Sequence, residues 1–209
     1  RLAASPDTCL TGERVVGDKE PLPVEWPVAG TTGYECRAAL ANLLGDSDRL
    51  SVLRKAYQAV IGKTVDRKAE LRAAKLLMAN RNFAGEFNRL LQLALKIADA
   101  DGATQPEAEL KNALRELLVA FPVYRTYGTP QGLTSADTAL LQQVVSEVKA
   151  SDHAPDTQAL DFLARILRAE LADPARDDAT QFRTRSQQLT GPPRAKSVED
   201  TLFFWHHMR

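Results

Sequence analysis

The chain has 209 residues, 27 Lys and Arg against 27 Asp and Glu, a formal net charge of zero and 44% hydrophobic residues. That is enough for one domain, or one and a half, with a real core, and the balanced charge argues against a nucleic-acid surface, which needs an excess of Lys and Arg. No run of about 18 apolar residues exists to span a membrane.

The N-terminus lacks a signal-peptide core. It begins with Arg rather than Met and reads as a piece of something longer. Cys9 and Cys36 are too few for a disulfide framework, so free thiols and a cytoplasmic protein are expected.

In chain order, the first 33 residues are rich in Pro and Gly and read as irregular or extended, with one short strand over 10–16. Beyond Gly33 the pattern turns helical. Leu50, Leu53, Tyr57, Val60 and Ile61 share one helical stripe, as do Phe83, Phe87, Leu90, Leu91 and Ala94. These predict helices over 48–61 and 67–100, the second broken near Gly85. Thr104-Gln-Pro-Glu107 reads as a capping box with a proline in the first turn. Leu110, Leu114, Leu117, Leu118 and Phe121 continue that helix until Pro122 stops it.

Further helices are predicted over 136–149, with Leu140, Leu141, Val144, Val145 and Val148 inward, and over 157–171, with Leu160, Leu163, Leu167 and Leu171 inward. A last one covers 177–189, ended by Gly191-Pro-Pro193. The tail becomes extended or helical. The fold class is mainly α. No internal repeat is visible.

Phe121-Pro-Val-Tyr-Arg-Thr-Tyr127 departs from what surface loops usually carry. Aromatic faces pack on pyranose rings and guanidinium groups donate to hydroxyls, so Tyr124, Arg125 and Tyr127 suit a sugar cleft. Other signals are weak. Gly62-Lys63-Thr64 resembles the end of a phosphate loop but lacks its first glycine, since Tyr57 stands there. His153, His206 and His207 have no ligand spacing for zinc. No Gly-x-Ser-x-Gly elbow exists. Neither a metal nor a cofactor is expected.

Three segments read together point further: Glu13-Arg-Val-Val-Gly-Asp-Lys-Glu-Pro-Leu-Pro-Val-Glu-Trp-Pro-Val-Ala-Gly-Thr-Thr-Gly-Tyr34, Phe121 to Tyr127, and Gln187-Gln-Leu-Thr-Gly-Pro-Pro-Arg-Ala-Lys-Ser-Val-Glu-Asp-Thr201. Their order and spacing resemble the malto-oligosyltrehalose synthase family of the α-amylase superfamily (glycoside hydrolase family 13), from Glu13 to Phe204.

The resemblance implies a (β/α)8 barrel enzyme with a large helical insertion, chemistry sitting at strand ends. On that reading 1–33 is a barrel strand end and loop, 34–190 is a bundle-like insertion, and 191–209 returns to the barrel. It implies Glu13 as general acid/base, within Glu-Arg-Val-Val where the family has Glu-Lys-Ile-Leu. It offers Tyr34, Tyr124, Arg125, Tyr127, Lys196, Glu199 and Asp200 as glucan-binding groups.

The implied reaction turns the reducing-end α-1,4 bond of a malto-oligosaccharide into an α,α-1,1 bond with retention. A nucleophilic carboxylate about 5 Å from the acid is required. In the family that aspartate lies upstream of the acid, and a second, in His-Asp-Thr-Lys-Arg, lies downstream of the third segment. Neither is in this chain, which is therefore expected to be inactive alone and to self-associate through an exposed barrel edge. A non-catalytic helical glucan-binding or protein-interaction domain, and a plain α-amylase-type hydrolase, are the alternatives.

Overall fold

The structure, a computed structural model, describes residues 8–13, 26–171 and 175–198. It is mainly helical, as the periodicity predicts. Two compact units divide it, Arg1–Asp66 and Arg67–Arg209.

In the first unit, strand β1 (Thr11–Gly12) pairs in parallel with β2 (Gly30–Thr31). The rest of the predicted strand, from Arg14 to Val16, lies outside the described residues. Helix α1 (Tyr34–Leu44), which has no separate counterpart among the predicted elements, and helix α2 (Leu50–Ile61) follow. Glycine ends α2: Gly62 has φ 70°, and its N–H closes on Gln58 O at 2.9 Å. Its left-handed backbone is a helix C-cap, which accounts for the resemblance of Gly62-Lys63 to a phosphate loop.

The apolar stripe of α2 is not inward-facing within its unit. Leu53 is 68% exposed and Val60 86%, and no described residue of this unit is buried. Two helices of 11 and 12 residues cannot enclose an interior between them. Periodicity specified the helix and not a partner for it.

The second unit holds the core. Helix α3 (Arg67–Leu77) runs into a π-helical turn at Met78–Asn82, then α4 (Ala84–Ala100). The break precedes Gly85, and Phe83 N–H reaches back to Met78 O at 2.9 Å, the five-residue closure of a π turn. Helices α5 (Glu107–Ala120), α6 (Ser135–Lys149), α7 (Thr157–Arg168) and α8 (Arg176–Lys196) complete it.

Four of these close on one another: α4 packs on α5, α5 on α7, α7 on α8, and α8 back on α4. Helix α6 lies against α5 and α7, and α3 against α5. Phe87, Leu90, Leu91, Leu114, Leu117, Val144, Leu160, Leu163 and Phe182 fill the centre. Each fully buried Leu or Phe contributes roughly 1.5–3 kcal/mol by leaving water.

Three predicted boundaries are corrected. Thr104 does not cap α5. Pro106, extended at φ −60° and ψ 133°, holds the N-cap position, and its carbonyl accepts from Glu109 and Leu110. A proline pushes the residue before it out of helical geometry, so Gln105 cannot open the helix. The 157–171 helix stops at Arg168, where Ala169 turns left-handed at φ 62° and leaves Leu171 outside. Gly191-Pro-Pro193 does not end α8, which continues to Lys196 with both prolines inside.

Caps that the prediction did not name start α6 and α7. The Thr134 hydroxyl accepts from Asp137 N–H at 3.1 Å, and Asp156 Oδ1 from Ala159 N–H at 2.8 Å.

Candidate functional site

The Phe121–Tyr127 segment leaves α5 and crosses α8. Phe121 is buried in the core. The Tyr124 ring lies against Gly191, where an added Cβ would stand 2.7 Å from ring carbon Cε1. Thr190, on the same turn, donates its hydroxyl to Tyr124 O at 3.1 Å.

The next three residues separate inward from outward. Thr126 is buried. Arg125 and Tyr127 are half-buried, and the Arg125 guanidinium sits 5.0 Å from the centre of the Tyr127 ring, within cation–π range. Tyr127 N–H donates to Asp137 Oδ2 at 3.1 Å, which ties the segment to the first turn of α6.

The loop then closes on itself. Thr129 and Gly132 exchange both backbone hydrogen bonds, at 2.8 and 3.0 Å. Gly128 is a second close approach: a Cβ there would lie 2.6 Å from Gln187 Nε2 and 3.1 Å from Arg183 Cδ. Each of the two elements thus gives up one side chain so that the other can come near.

Arg183 of α8 is 2% exposed and spends its guanidinium on backbone carbonyls. Nε donates to Leu167 O at 3.0 Å, and Nη1 to Thr129 O at 2.9 Å. Nη2 reaches Ile166 O at 3.4 Å. Leu167 and Ile166 belong to the last turn of α7, where the negative end of the helix dipole offsets a buried cation. Burial lowers the Arg183 pKa from its ordinary value.

Two cavities flank this arrangement. One of about 20 Å³ lies between α5 and α8 and is lined by Leu114, Phe121, Thr126, Gln187 and other core groups. Gln187 Nε2 is buried there without a partner among the described residues, and the space suffices for one water. The other, about 200 Å³, is lined by Pro130, Gln131, Ala169, Arg176 and Arg183 among others. Tyr124, Arg125 and Tyr127 line neither. Arg125 and Tyr127 form a half-exposed strip instead of a closed pocket.

The remaining sequence-predicted residues are placed as follows. Lys196 is the exposed last residue of α8, about 7.5 Å along the axis from Gly191 at 1.5 Å per residue. Glu13 is exposed and follows β1 directly. Tyr34 opens α1, half-buried, with the Arg37 guanidinium 5.8 Å above its ring. Beside it, Thr31 donates its hydroxyl to Glu35, and that bond holds the Glu35 carboxyl below its ordinary pKa. Glu199 and Asp200 lie outside the described residues. Glu13 and Tyr34 fall in the first unit, and Tyr124, Arg125, Tyr127 and Lys196 in the second.

Sequence reading missed Thr190, Gly191, Gly128 and Arg183. Gly128, directly after Tyr127, was the available signal; nothing beside Gly191 in the sequence marks its approach to Tyr124.

Fold and segment together define a helical domain that presents an aromatic and cationic strip at one helix exit. Two solved structures share this fold: maltooligosyltrehalose synthase from Arthrobacter ramosus, with a TM-score of 0.69, and a point mutant of it, with 0.68. Identity is 24% in both, over 91% of this chain and 22% of theirs. The chain thus spans about a fifth of the length of those structures, and the likeness is one of fold. No family model and no curated protein matches the chain. Among the described residues, no helix is long and apolar enough to cross a membrane.

Proposed function

We propose that this chain is the helical part of an intramolecular transglucosylase of the malto-oligosyltrehalose synthase type. Such an enzyme converts the reducing-end α-1,4 bond of a malto-oligosaccharide into an α,α-1,1 bond, a step of trehalose biosynthesis. The observation that carries the reading is the fold shared with maltooligosyltrehalose synthase over 91% of this chain. It falls on the same sequence whose three segments resemble that family.

In the proposed reaction Glu13, as a carboxylic acid at a strand end, protonates the leaving glycosidic oxygen. It then takes the proton from the hydroxyl that attacks in return. The attacking hydroxyl belongs to the released glucose, so water must be kept away from the intermediate. Tyr124, Arg125, Tyr127 and Lys196, all of the second unit, supply aromatic faces and hydrogen-bonding groups suited to a glucose ring. Arg125 stacked on Tyr127 offers a flat face with donors at its edge, the shape a pyranose ring takes. No residue of this chain is assigned as the nucleophilic carboxylate, so double displacement does not run in the chain alone.

The test is titration of the chain with maltohexaose and with cellohexaose, followed by incubation and analysis for non-reducing product. Saturable binding of maltohexaose, none of cellohexaose and no product are expected. Absence of maltohexaose binding overturns the glucan-site reading, and turnover overturns the assignment of an incomplete catalytic set.

A further inference from the structure

The exit of α5 poses a hydrogen-bonding problem that a residue of another helix answers. A helix leaves its last four carbonyls without intrahelical partners, and a following backbone N–H commonly turns back to meet one. Here Phe121 is the C-cap and the next residue is Pro122, which has no N–H to give.

Lys75 of α3 reaches across instead. Its Nζ donates to Val119 O at 2.7 Å and to Phe121 O at 3.2 Å. The residue is 7% exposed. One turn earlier on the same face of α3, Arg72 grips Glu116 through two N–H bonds of 2.7 and 2.8 Å. Helix α3 therefore holds the C-terminal half of α5 at two points, the second being where the chain departs.

Placing an ammonium here is unfavourable for the fold. Desolvation by burial, with a smaller contribution from the positive charge of Arg194, draws the Lys75 pKa down to about 8. An apolar side chain of similar length would fill the volume without that penalty. What the ammonium adds is direction: two carbonyls on either side of Ala120 are fixed to one point, and Pro122 carries that direction forward with its own fixed φ.

We propose that Lys75 is a positioning residue that sets the path of Tyr124, Arg125 and Tyr127 out of α5, and so the surface they offer a glucan. The glucan part rests on the reading given under Proposed function; the part about the path does not. The test compares Lys75→Met, Lys75→Arg and Val148→Ala in the full 209-residue chain. Val148 is a buried residue of α6 and serves as a control for general loss of stability. Two quantities are read: hydrogen exchange of the amides from Val123 to Tyr127, and affinity for maltohexaose.

Lys75→Met is expected to speed exchange in that segment about tenfold and to weaken maltohexaose about fivefold. Lys75→Arg, which can still reach the carbonyls, restores both to within about twofold. Val148→Ala lowers stability yet leaves both unchanged. Segment exchange in Lys75→Met no faster than in Val148→Ala overturns the proposal. Should the wild-type chain fail to bind maltohexaose, the glucan reading falls while exchange still decides the role of Lys75. Should Lys75→Met fail to fold, Lys75→Gln decides on the same exchange reading, being expected to fall between wild type and loss of restraint.

Discussion

The Tyr124 ring rests on the bare Cα of Gly191, with Cε1 2.7 Å and Cζ 2.8 Å from where a Cβ would stand. At that distance either the ring or the helix backbone has to shift to admit a Cβ. Gly191→Ala therefore works against its usual sign. In an open helix the change gains about 0.5–1 kcal/mol. Here overpacking costs about 1–3 kcal/mol. In a Tyr124→Ala background the cost of the same change falls, leaving only the strain of a Cβ placed before Pro192 in a helix. Urea denaturation of the two single variants and the double variant measures both, and additive effects would show that the ring and the glycine do not interact.

Arg72 and Glu116 form a two-bond ion pair in which the Glu116 side chain is 7% exposed and that of Arg72 27%. Arg72→Met leaves a buried carboxylate unpaired and is expected to cost about 3 kcal/mol. The double change Arg72→Met with Glu116→Leu removes the stranded charge and recovers most of that loss. Thermal melts of the three variants decide it. A double variant no better than the single would mean that α3 and α5 are held by something else.

Lys75 gives the stability a dependence on alkaline pH. Its folded pKa is about 8 against an ordinary 10.5, so between those values the unfolded chain holds a proton that the folded chain has released. Folding stability from this group thus grows as pH rises, is complete above 10.5, and is lost as pH falls through about 8. Chemical denaturation of wild type and Lys75→Met from pH 7 to 11 is the measurement. The wild type should gain relative to the variant across that window, and parallel curves would refute it.

Arg125 and Tyr127 are half-buried and stack on one another. Replacing either with Ala is expected to change stability by less than about 0.5 kcal/mol. Under the proposed function it weakens maltohexaose binding about fivefold, or about 1 kcal/mol. Calorimetric titration separates the two effects. Loss of stability with unchanged binding would make the pair structural.

Helices α4 to α7 were legible because their apolar residues recur on the core side: Phe87, Leu90, Leu91 and Ala94 in α4, and Leu110, Leu114, Leu117 and Leu118 in α5, are all buried. Helix α8 was legible in kind but not in extent. Its buried face is made of Ala179, Arg183, Ser186, Gln187, Thr190, Gly191 and Pro193 with only Phe182 and Leu189 as large apolar groups, and hydropathy cannot read such a stripe. Gly-Pro-Pro signals a stop, yet Thr190 and Gly191 pack on the segment after α5 and the helix continues past them. The strip at Tyr124–Tyr127 was legible as unusual composition. The direction of each side chain was not, because it depends on Gly191, Thr190 and Asp137, all distant in sequence.

Under the proposed function, the close approaches at Gly128 and Gly191 place architecture and glucan recognition on separate residues. Any side chain at either glycine meets atoms within 3 Å, whereas changes at Arg125 and Tyr127 are expected to do little harm to the fold. In descendants of this chain freed from sugar binding, drift would erase the stacked pair first and keep the two glycines. In descendants still selected for it, all four would persist. Comparing substitution rates at 125 and 127 with those at 128 and 191 would therefore tell, from sequences alone, which of the two histories a related chain has followed.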